Sequence, residues 1–252
     1  MYNLELELLK YQSVTLSEMD RVKLMNRTDT KFAFTVEQLL DFLPAIEPFY
    51  SVLQINDIRT PRYESLYFDD QQFSFFRDHH NGKTDRFKVR IRKYVESNIL
   101  FLEIKHKFKG RTDKKRITTS DFDLELDDIQ KKFLNKHLDR TDELIPTMWN
   151  SFQRITLVHK KLNERLTLDF NIEFHHDNVT RKFDRLIIAE LKQEDLNRNS
   201  EFYQLMKNHL VRPYRLSKYC LGSIELYGEE KLKFNRFKKK LLYLKKINDD
   251  NL

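Results

Sequence analysis

Several segments of the chain alternate between apolar and charged residues, which is typical of a β-strand whose two faces differ. In residues 85–94, DRFKVRIRKY, every second position is basic and the positions between are apolar. The basic residues are Arg86, Lys88, Arg90 and Arg92. Like charges on one strand face repel one another. Either solvent surrounds them on an open sheet face, or they surround an anion.

The same alternation continues in later segments. Aligned sets on single strand faces are Phe101, Glu103, Lys105 and Lys107; Lys114, Arg116 and Thr118; Arg154 and Thr156; Arg165, Thr167 and Asp169; and Ile188, Glu190 and Lys192. If helices cover the apolar face, the charged face is either an open wet sheet or the inside of a barrel. Enclosing many cations is costly unless an anion compensates them, so a barrel lined in this way would have to bind a polyanion.

Helix signals lie between and after the predicted strands. Capping-box patterns at residues 15–18 and 35–38 predict helices that follow them. A polar, helix-prone stretch runs from about residue 121 to 139, and two helical stretches lie around residues 200–210 and 228–246. Asn81-Gly82 predicts a hairpin turn that leads into the strand at 85–94. Together these elements predict an α+β fold, in which an antiparallel β-barrel forms a charged tunnel and helices pack outside it.

The composition narrows the class of protein. The 252 residues suffice for one substantial domain, and the formal net charge of +7 favours anionic partners. Only four glycines occur, which excludes glycine-rich phosphate loops. Because Cys220 is the single cysteine and no stretch approaches the ~18 apolar residues of a membrane span, we expect a cytoplasmic protein. The aromatic residues mostly alternate into the presumed core face, so nucleic acid is not an expected partner.

A set of short motifs occurs in a specific order along the chain: NRTDTKF, YFDD, KVRIRKY, FLEIKHK, KKRIT, SFQRITL, ERLTLDF, IIAELK and RLSKY. Their order and spacing, from about Arg27 to about Leu221, resemble the vacuolar transporter chaperone (VTC) domain, the polyphosphate polymerase branch of the triphosphate tunnel metalloenzymes. On this resemblance, residues 1–252 form a single domain, with an N-terminal helical segment (1–26) and a basic C-terminal helix and tail (228–252).

The resemblance implies an enzyme that transfers the terminal phosphoryl group of ATP to a growing inorganic polyphosphate chain in a basic tunnel, with Mn²⁺ or Mg²⁺ as cofactor. Glu190 would be the metal ligand, with Glu103 as the next candidate because it shares a face with Lys105. Together with the aligned strand faces, the resemblance implies two further sets. The catalytic residues would be Lys31, Arg90, Arg92, Lys105 and Arg154, and the phosphate-binding residues would be Lys107, Lys114, Arg116, Arg165, Lys192, Ser217 and Lys218.

Two departures from the family pattern bear on the reaction. Lys107 stands where fungal members have a tunnel histidine, so a cation is kept there without an imidazole. The first strand reads RTDTKF and lacks the Glu-x-Glu-x-Lys motif of the wider superfamily, which argues against an ordinary triphosphatase or adenylate cyclase. We expect Arg90 and Arg92 to lie among like charges, with no acidic neighbour.

Two other functions fit the same residues. One is hydrolysis of triphosphate or polyphosphate in the same tunnel. The other is a non-catalytic domain that binds polyphosphate or a nucleotide for a separate membrane protein. The chain itself is not expected to be embedded in a membrane. The tail segment KLKFNRFKKKLLYLKK, residues 231–246, predicts a helix whose apolar stripe caps the barrel, or else a helix that binds a membrane surface or a partner.

Overall fold

The computed structural model describes residues 2–19, 27–138 and 143–249, and the predicted helical segment at residues 19–26 falls almost entirely outside these ranges. The fold is α+β: one large antiparallel sheet curls around an interior, and helices pack against it. The helices are α1 (Tyr2–Leu9), α2 (Leu16–Met19), α3 (Val36–Ile46), α4 (Ser74–Asn81), α5 (Asp128–His137), α6 (Glu201–Asn208), α7 (Lys218–Lys231) and α8 (Lys238–Asn248).

The strands follow the predicted alternating segments closely. They are β1 (Ser13–Val14), β2 (Thr28–Thr35), β3 (Tyr50–Leu53), β4 (Arg62–Asp69), β5 (Asp85–Tyr94), β6 (Ile99–Phe108), β7 (Arg111–Thr119), β8 (Ile145–His159), β9 (Glu164–His176), β10 (Val179–Phe183) and β11 (Leu186–Gln193). Along the sheet they lie in the order β2-β11-β9-β8-β4-β5-β6-β7, and every pairing on this path is antiparallel.

The sheet is curled but open, whereas the alternation predicted a closed barrel. Within the described residues, the end strands β2 and β7 do not pair with each other. The free edge of β2 meets the segment 211–217 instead, where the backbone N–H of Tyr214 donates to the carbonyl of Lys31 at 2.6 Å. At the other end, β7 is mostly exposed. A strand with charged, solvated side chains has little apolar surface to gain by closing the barrel.

The convex face of the sheet is covered by helices, as the alternation predicted. Phe32 of β2 packs edge-on against Phe202 of α6, with ring centroids 5.7 Å apart. Phe34 packs in the same way against Phe42 of α3 at 5.2 Å. Further along the sheet, α4 packs on β5. These contacts bury the apolar set of each strand and leave the alternate, charged set on the concave face.

Helix α7 packs on the concave face and fills part of it. Tyr219 stacks on Tyr67 of β4 with centroids 5.1 Å apart, and its hydroxyl donates to the buried carboxylate of Asp69. The side chain of Ser217 accepts a hydrogen bond from the backbone N–H of Cys220 at 3.3 Å and caps the helix. Capping places the first turn of α7, with Ser217 and Lys218, beside the charged residues of the interior.

Two sequence predictions about elements have different outcomes, and one helix was missed. The Asn81-Gly82 hairpin turn is wrong: the preceding residues form α4, and Gly82 ends that helix at φ 72°. Asn-Gly suits both a hairpin turn and the end of a helix, because each requires a residue with left-handed backbone. Helix α7 was not predicted. The predicted tail stripe is confirmed as core, since Phe234, Phe237, Leu241 and Leu244 are all buried.

Replacing Gly222 by alanine tests the contact between α7 and the sheet. A Cβ atom there would overlap the sulfur of Met148 and the ring of Phe174. Overpacking of this kind costs about 1–3 kcal/mol or more, so we expect Gly222→Ala to lower the free energy of unfolding by at least that amount. Denaturant unfolding of both proteins measures the difference.

Gly82→Ala is the matched control. The space around Gly82 is open, but its backbone is left-handed, so alanine there meets only conformational strain. We expect that variant to lose no more than about 1 kcal/mol. Equal losses at the two positions would contradict close packing of α7 on the sheet.

Candidate active site

The concave face brings residues of distant strands close together. Lys105 on β6 and Glu190 on β11 are separated in the sheet by the strands β5, β4, β8 and β9. Arg90, followed by burial and Arg92, lowers the pKa of Lys105 well below its ordinary value, and Glu190 partly offsets this effect across the interior. Such an influence requires proximity. We call the side chains on this concave face the tunnel lining.

Glu103 is the first of three carboxylates that bind cations in the tunnel lining. It is fully buried, and one of its oxygens accepts hydrogen bonds from Nε and Nη2 of Arg90 at 2.9 and 2.7 Å. Its other oxygen accepts from Nζ of Lys114 at 2.8 Å. Burial alone would raise the pKa of Glu103, but Arg90, Arg92 and Lys114 hold it well below its usual range. Glu103 is therefore an ionised counter-ion.

These contacts correct two expectations. Arg90 does have an acidic neighbour, since it forms a buried ion pair with Glu103. In addition, both oxygens of Glu103 are already occupied by cations, so it is poorly suited as an alternative metal ligand. The alternation correctly predicted the face on which Glu103 lies. Its partner follows from the register of β5 and β6, in which Arg90 lies directly opposite Glu103.

Asp169 is the second carboxylate. It accepts a bidentate pair of hydrogen bonds from Arg154, at 2.6 Å from Nε and 2.9 Å from Nη2, and also binds Lys218 at the start of α7. Although burial raises the pKa of Asp169, Arg154 and Lys218 lower it far more. The planar guanidinium fits a carboxylate through two parallel bonds, so Arg154 is held in one orientation.

Glu190 is the third carboxylate. Its Oε2 accepts from Lys192 at 2.8 Å, while Nζ of Lys31 lies 3.7 Å from Oε1, beyond hydrogen-bonding distance. Lys192 is held by a second bond, to the hydroxyl of Thr167 at 3.1 Å. Burial raises the pKa of Glu190, but Lys192, Lys31 and Lys105 bring it well below its ordinary value. Glu190 is thus ionised and has one oxygen with only a loose partner.

Several cations of the tunnel lining form no ion pair with any described residue. Lys88 donates to the hydroxyl of Ser217 at 2.9 Å, and Nε of Arg92 donates to the hydroxyl of Ser65 at 3.1 Å. Hydroxyl groups satisfy the donors but do not neutralise the charge. Burial lowers the pKa of Lys88 to about 8. The cations without a carboxylate partner in the described ranges are Lys88, Arg92, Lys105, Lys107, Arg116 and Arg165.

Aromatic rings support some of these cations. Tyr63 and Phe152 stack with centroids 5.3 Å apart and planes 3° from parallel. The guanidinium of Arg92 lies 5.7 and 5.5 Å from these two ring centroids, and that of Arg154 lies 4.9 and 5.2 Å from them. Arg116 lies 4.2 Å from the ring of Phe101. Cation–π contacts stabilise a cation without consuming its charge, so the charge remains available to an anion.

The structure places all the predicted site residues on the tunnel lining or beside it. Arg116 is exposed on the edge strand β7, and Lys107 lies near one end of the lining. Sequence reasoning did not select Lys88, although it belongs to the same alternating face as Arg90. It also missed Tyr67, whose hydroxyl accepts from Arg90 at 3.0 Å. An aromatic strand residue carries no sequence signal that separates a site role from a core role.

The residues present are compatible with one divalent cation at Glu190. Among the residues described, no three His, Cys, Asp or Glu side chains form a cluster able to hold a metal by themselves. An ionised carboxylate is the hard oxygen ligand that Mg²⁺ and Mn²⁺ prefer. Such ions commonly take one or two carboxylates and complete their shell with phosphates and water. The loosely paired oxygen of Glu190 could supply this single protein ligand.

An interior lined by an excess of cations, inside a curled antiparallel sheet, defines a class of tunnel-like folds with a charged interior. Comparison with known families identifies the particular one: the model of the VTC domain matches residues 26–227. The chain belongs to the VTC domain family. The match covers every strand from β2 to β11 and most of α7, and α8 lies beyond it.

Solved structures show similar folds at low sequence identity. A protein from Vibrio parahaemolyticus, proposed to be an adenylate cyclase, is 12% identical, covers 77% of this chain and 96% of its own, and has a TM-score of 0.46. A proposed adenylyl cyclase from Hippeastrum, reported to have a dominant triphosphatase activity, is 15% identical, with 81% and 99% coverage and a TM-score of 0.45. No curated protein matches the chain.

Among the helices in the described part of the chain, none combines the length and the apolar composition needed to cross a bilayer.

Removing the charge of Glu103 tests its role as a counter-ion. Glu103→Gln keeps the shape but leaves Arg90 and Lys114 without a balancing charge in a buried place. Breaking a buried ion pair in this way typically costs about 3–5 kcal/mol, so we expect a marked loss of unfolding free energy. Inorganic triphosphate should restore part of it, because its charge replaces that of the carboxylate.

The control is Glu229→Gln, which breaks an exposed ion pair with Lys238. Exposed pairs contribute little, so denaturant unfolding should barely change. If Glu103→Gln were as stable as this control, Glu103 would not be the counter-ion of the interior.

The depressed pKa of Lys88 predicts a pH dependence of stability. Its pKa is about 8 in the folded protein and 10.5 ordinarily, so between these values the unfolded chain binds more protons. The free energy of unfolding must therefore rise with pH in this window. We expect Lys88→Met to reduce the slope between about pH 8 and about pH 10, as measured by denaturant unfolding.

Lys182→Met on the exposed strand β10 is the comparison variant. Its slope should equal that of the parent protein. A Lys88→Met slope unchanged from the parent would mean that Lys88 is fully solvated rather than enclosed.

Proposed function

We propose that this protein is an ATP-dependent inorganic polyphosphate polymerase, which transfers the terminal phosphoryl group of ATP to the end of a polyphosphate chain. The observation that carries the proposal is the charge imbalance of the tunnel lining in a chain of the VTC family. After Glu103, Asp169 and Glu190 have taken their cations, a set of cations on the same face still lacks carboxylate partners among the described residues. A bound chain of phosphates would supply the missing negative charge.

Phosphoryl transfer requires mainly positioning and charge stabilisation from the protein. An oxygen of the terminal phosphate of the acceptor chain attacks the γ-phosphorus of ATP, a new P–O bond forms, the bond to the β-phosphate oxygen breaks, and ADP leaves. Arg92 and Lys105 carry no carboxylate partner among the described residues, so they are the groups we assign to the transferred phosphoryl oxygens. Arg90 and Arg154 are oriented by Glu103 and Asp169 and present their remaining donors from fixed positions.

The remaining cations are assigned to binding rather than to the transferred group. These are Lys192, which binds Glu190, Lys218 at the start of α7, and Lys88 on β5, which donates to the cap residue Ser217. Lys31, which also lies beside Glu190, stays assigned to the catalytic set. Lysine is a movable point charge and suits phosphates whose positions change as a chain advances. We assign Lys107, Lys114, Arg116, Arg165 and Ser217 to phosphate binding as well, according to their places on or beside the tunnel lining.

A divalent metal ion, Mn²⁺ or Mg²⁺, would be held by Glu190. Bound there together with phosphate oxygens, it would neutralise charge on the phosphates. The protein's own contribution is to keep Glu190 ionised through Lys31 and Lys192 while leaving one oxygen loosely paired. That the ion is Mn²⁺ or Mg²⁺ is likewise proposed.

Transfer to a phosphate needs less from the protein than transfer to water. A phosphate acceptor is already ionised near neutral pH, whereas water has to lose a proton. Glu103, Asp169 and Glu190 are bound to cations and have lowered pKa values, so they are weak bases. Burial raises the pKa of Asp69 to about 6, but its oxygens already accept from Tyr219 and from backbone N–H groups of α4. This supports polymer synthesis over hydrolysis. A separate membrane protein that takes up the product stays a prediction from the family resemblance.

Incubating the purified chain with ATP and Mn²⁺, with Mg²⁺ in parallel, tests the function. We expect ADP and an acid-precipitable phosphate polymer to form together. Release of free phosphate without polymer would identify a hydrolase. Absence of turnover, combined with a rise in melting temperature when triphosphate is added, would identify a binding domain. Either result would overturn the polymerase proposal.

Glu190→Gln separates the metal role from the phosphate-binding role. The variant loses the charge that would hold the ion, so we expect turnover to fall by about 100-fold or more. Metal-free triphosphate should still raise the melting temperature, because the cations remain. The control is Glu173→Gln, which breaks the ion pair between Glu173 on β9 and Lys182 on β10. This variant should keep full turnover. Unchanged metal-dependent turnover in Glu190→Gln would remove Glu190 from the site.

A further inference from the structure

A second group of cations continues from the end of the tunnel lining. Arg86 on β5 and Lys107 on β6 lie directly opposite each other in the ladder, two positions beyond the opposed pair Lys88 and Lys105. Since side chains two residues apart share a face, Arg86 extends the same row of cations outward. Both side chains are half-buried.

The segment that joins α6 to α7 brings a third cation to this place. The backbone N–H of Tyr214 donates to the carbonyl of Lys31 on β2, at 2.6 Å. Three residues later, the hydroxyl of Ser217 accepts from Lys88 on β5, at 2.9 Å. Arg215 lies between these two anchors and is therefore held between β2 and β5, next to the row of Lys88 and Arg86.

Helix α8 contributes a fourth cation. Nζ of Lys240 donates to the backbone carbonyl of Arg215 at 3.0 Å, which fixes the ammonium beside that residue. Lys240 lies outside residues 26–227, the part of the chain that matches the family model. We call Arg86, Lys107, Arg215 and Lys240 the mouth cluster.

The mouth cluster lacks compensating charge. None of its four side chains forms an ion pair with a residue in the described ranges, and Nε of Arg86 is buried without a hydrogen-bond partner. Burial, Arg86 and Arg215 lower the pKa of Lys107, and burial and Arg215 lower the pKa of Lys240. The nearby Asp29 acts on Lys107 but is itself paired with Arg27 at 3.0 Å. Three of the four side chains are half-buried and Arg215 is exposed, and like charges gathered in this way are stabilised by an anion.

We propose that the mouth cluster is an outer phosphate-binding subsite, which holds the part of a linear polyphosphate chain that extends beyond the phosphates enclosed by the tunnel lining. The inference rests on the proposed function and adds a determinant of chain length to it. A triphosphate fills the enclosed positions only, whereas a longer chain also reaches the mouth cluster. The continuity of Arg86 and Lys107 with Lys88 and Lys105 favours a linear phosphate chain over a membrane surface.

The test compares two ligands on two double variants. Arg86→Gln with Arg215→Gln removes two charges from the mouth cluster and leaves the residues of the tunnel lining intact. Lys131→Gln with Lys132→Gln on α5 removes two exposed charges elsewhere and matches the change in net charge. Calorimetry measures the affinity for inorganic triphosphate and for a polyphosphate several times longer, each at the same series of ionic strengths.

For the mouth-cluster variant, we expect the affinity for the long chain to fall by about 10-fold and its salt dependence to weaken, because fewer phosphates are neutralised. Its affinity for triphosphate should change by less than about twofold, since the enclosed positions are unaltered. The α5 variant should bind both ligands as the parent does. Circular dichroism confirms folding, and the single variant Arg215→Gln at an exposed position supplies the same comparison if the double variant does not fold.

Three outcomes would overturn the subsite while leaving the proposed function in place. The first is an equal loss of affinity for triphosphate and long chain in the mouth-cluster variant. The second is an equal loss for the long chain in the α5 variant, which would show a general effect of net charge. The third is a selective loss of binding to anionic lipid vesicles, with unchanged polyphosphate affinity. Failure of triphosphate to bind the parent protein would instead remove the proposed function itself.

Discussion

The structure depends on the balance of charge inside a curled sheet. Each of three carboxylates on the concave face lies beside two cations: Glu103 binds Arg90 and Lys114, Asp169 binds Arg154 and Lys218, and Glu190 binds Lys192 with Lys31 nearby. Most of these pairs join neighbouring strands, and one joins the sheet to α7. The carboxylates therefore let the sheet hold cations on its concave face, which repulsion would otherwise oppose. They do not neutralise all of them.

The incomplete balance connects the fold to its function. Arg92 is held in place by the hydroxyl of Ser65 and by the ring of Tyr63, and neither contact neutralises its charge. A site of this kind is arranged before the ligand arrives, so an anion need not reorganise it. The cost is a lower stability of the free protein, which is the usual relation between a binding site and its scaffold.

Helix α7 illustrates how local chemistry and tertiary packing combine. Its cap residue Ser217 also binds Lys88, and its first residue Lys218 binds Asp169, so one helix start completes two parts of the lining. The helix was not predicted, because its sequence KYCLGSIELYGEEK shows no continuous apolar stripe and contains two glycines. Gly222 is required for close approach to β8 and β9, which is a tertiary reason that propensity cannot reveal.

The sequence by itself determined the strands and the residues on each of their faces, because side chains alternate with a period of two whatever the strand packs against. It thereby placed Glu103, Lys105 and Glu190 on charged faces, and the order of the motifs indicated the family. Only the tertiary structure decided which cations are paired. That depends on strand register and on the curl of the sheet, which bring Arg90 opposite Glu103 and set Lys105 across the interior from Glu190. Charge alternation along a strand carries no information about these distances.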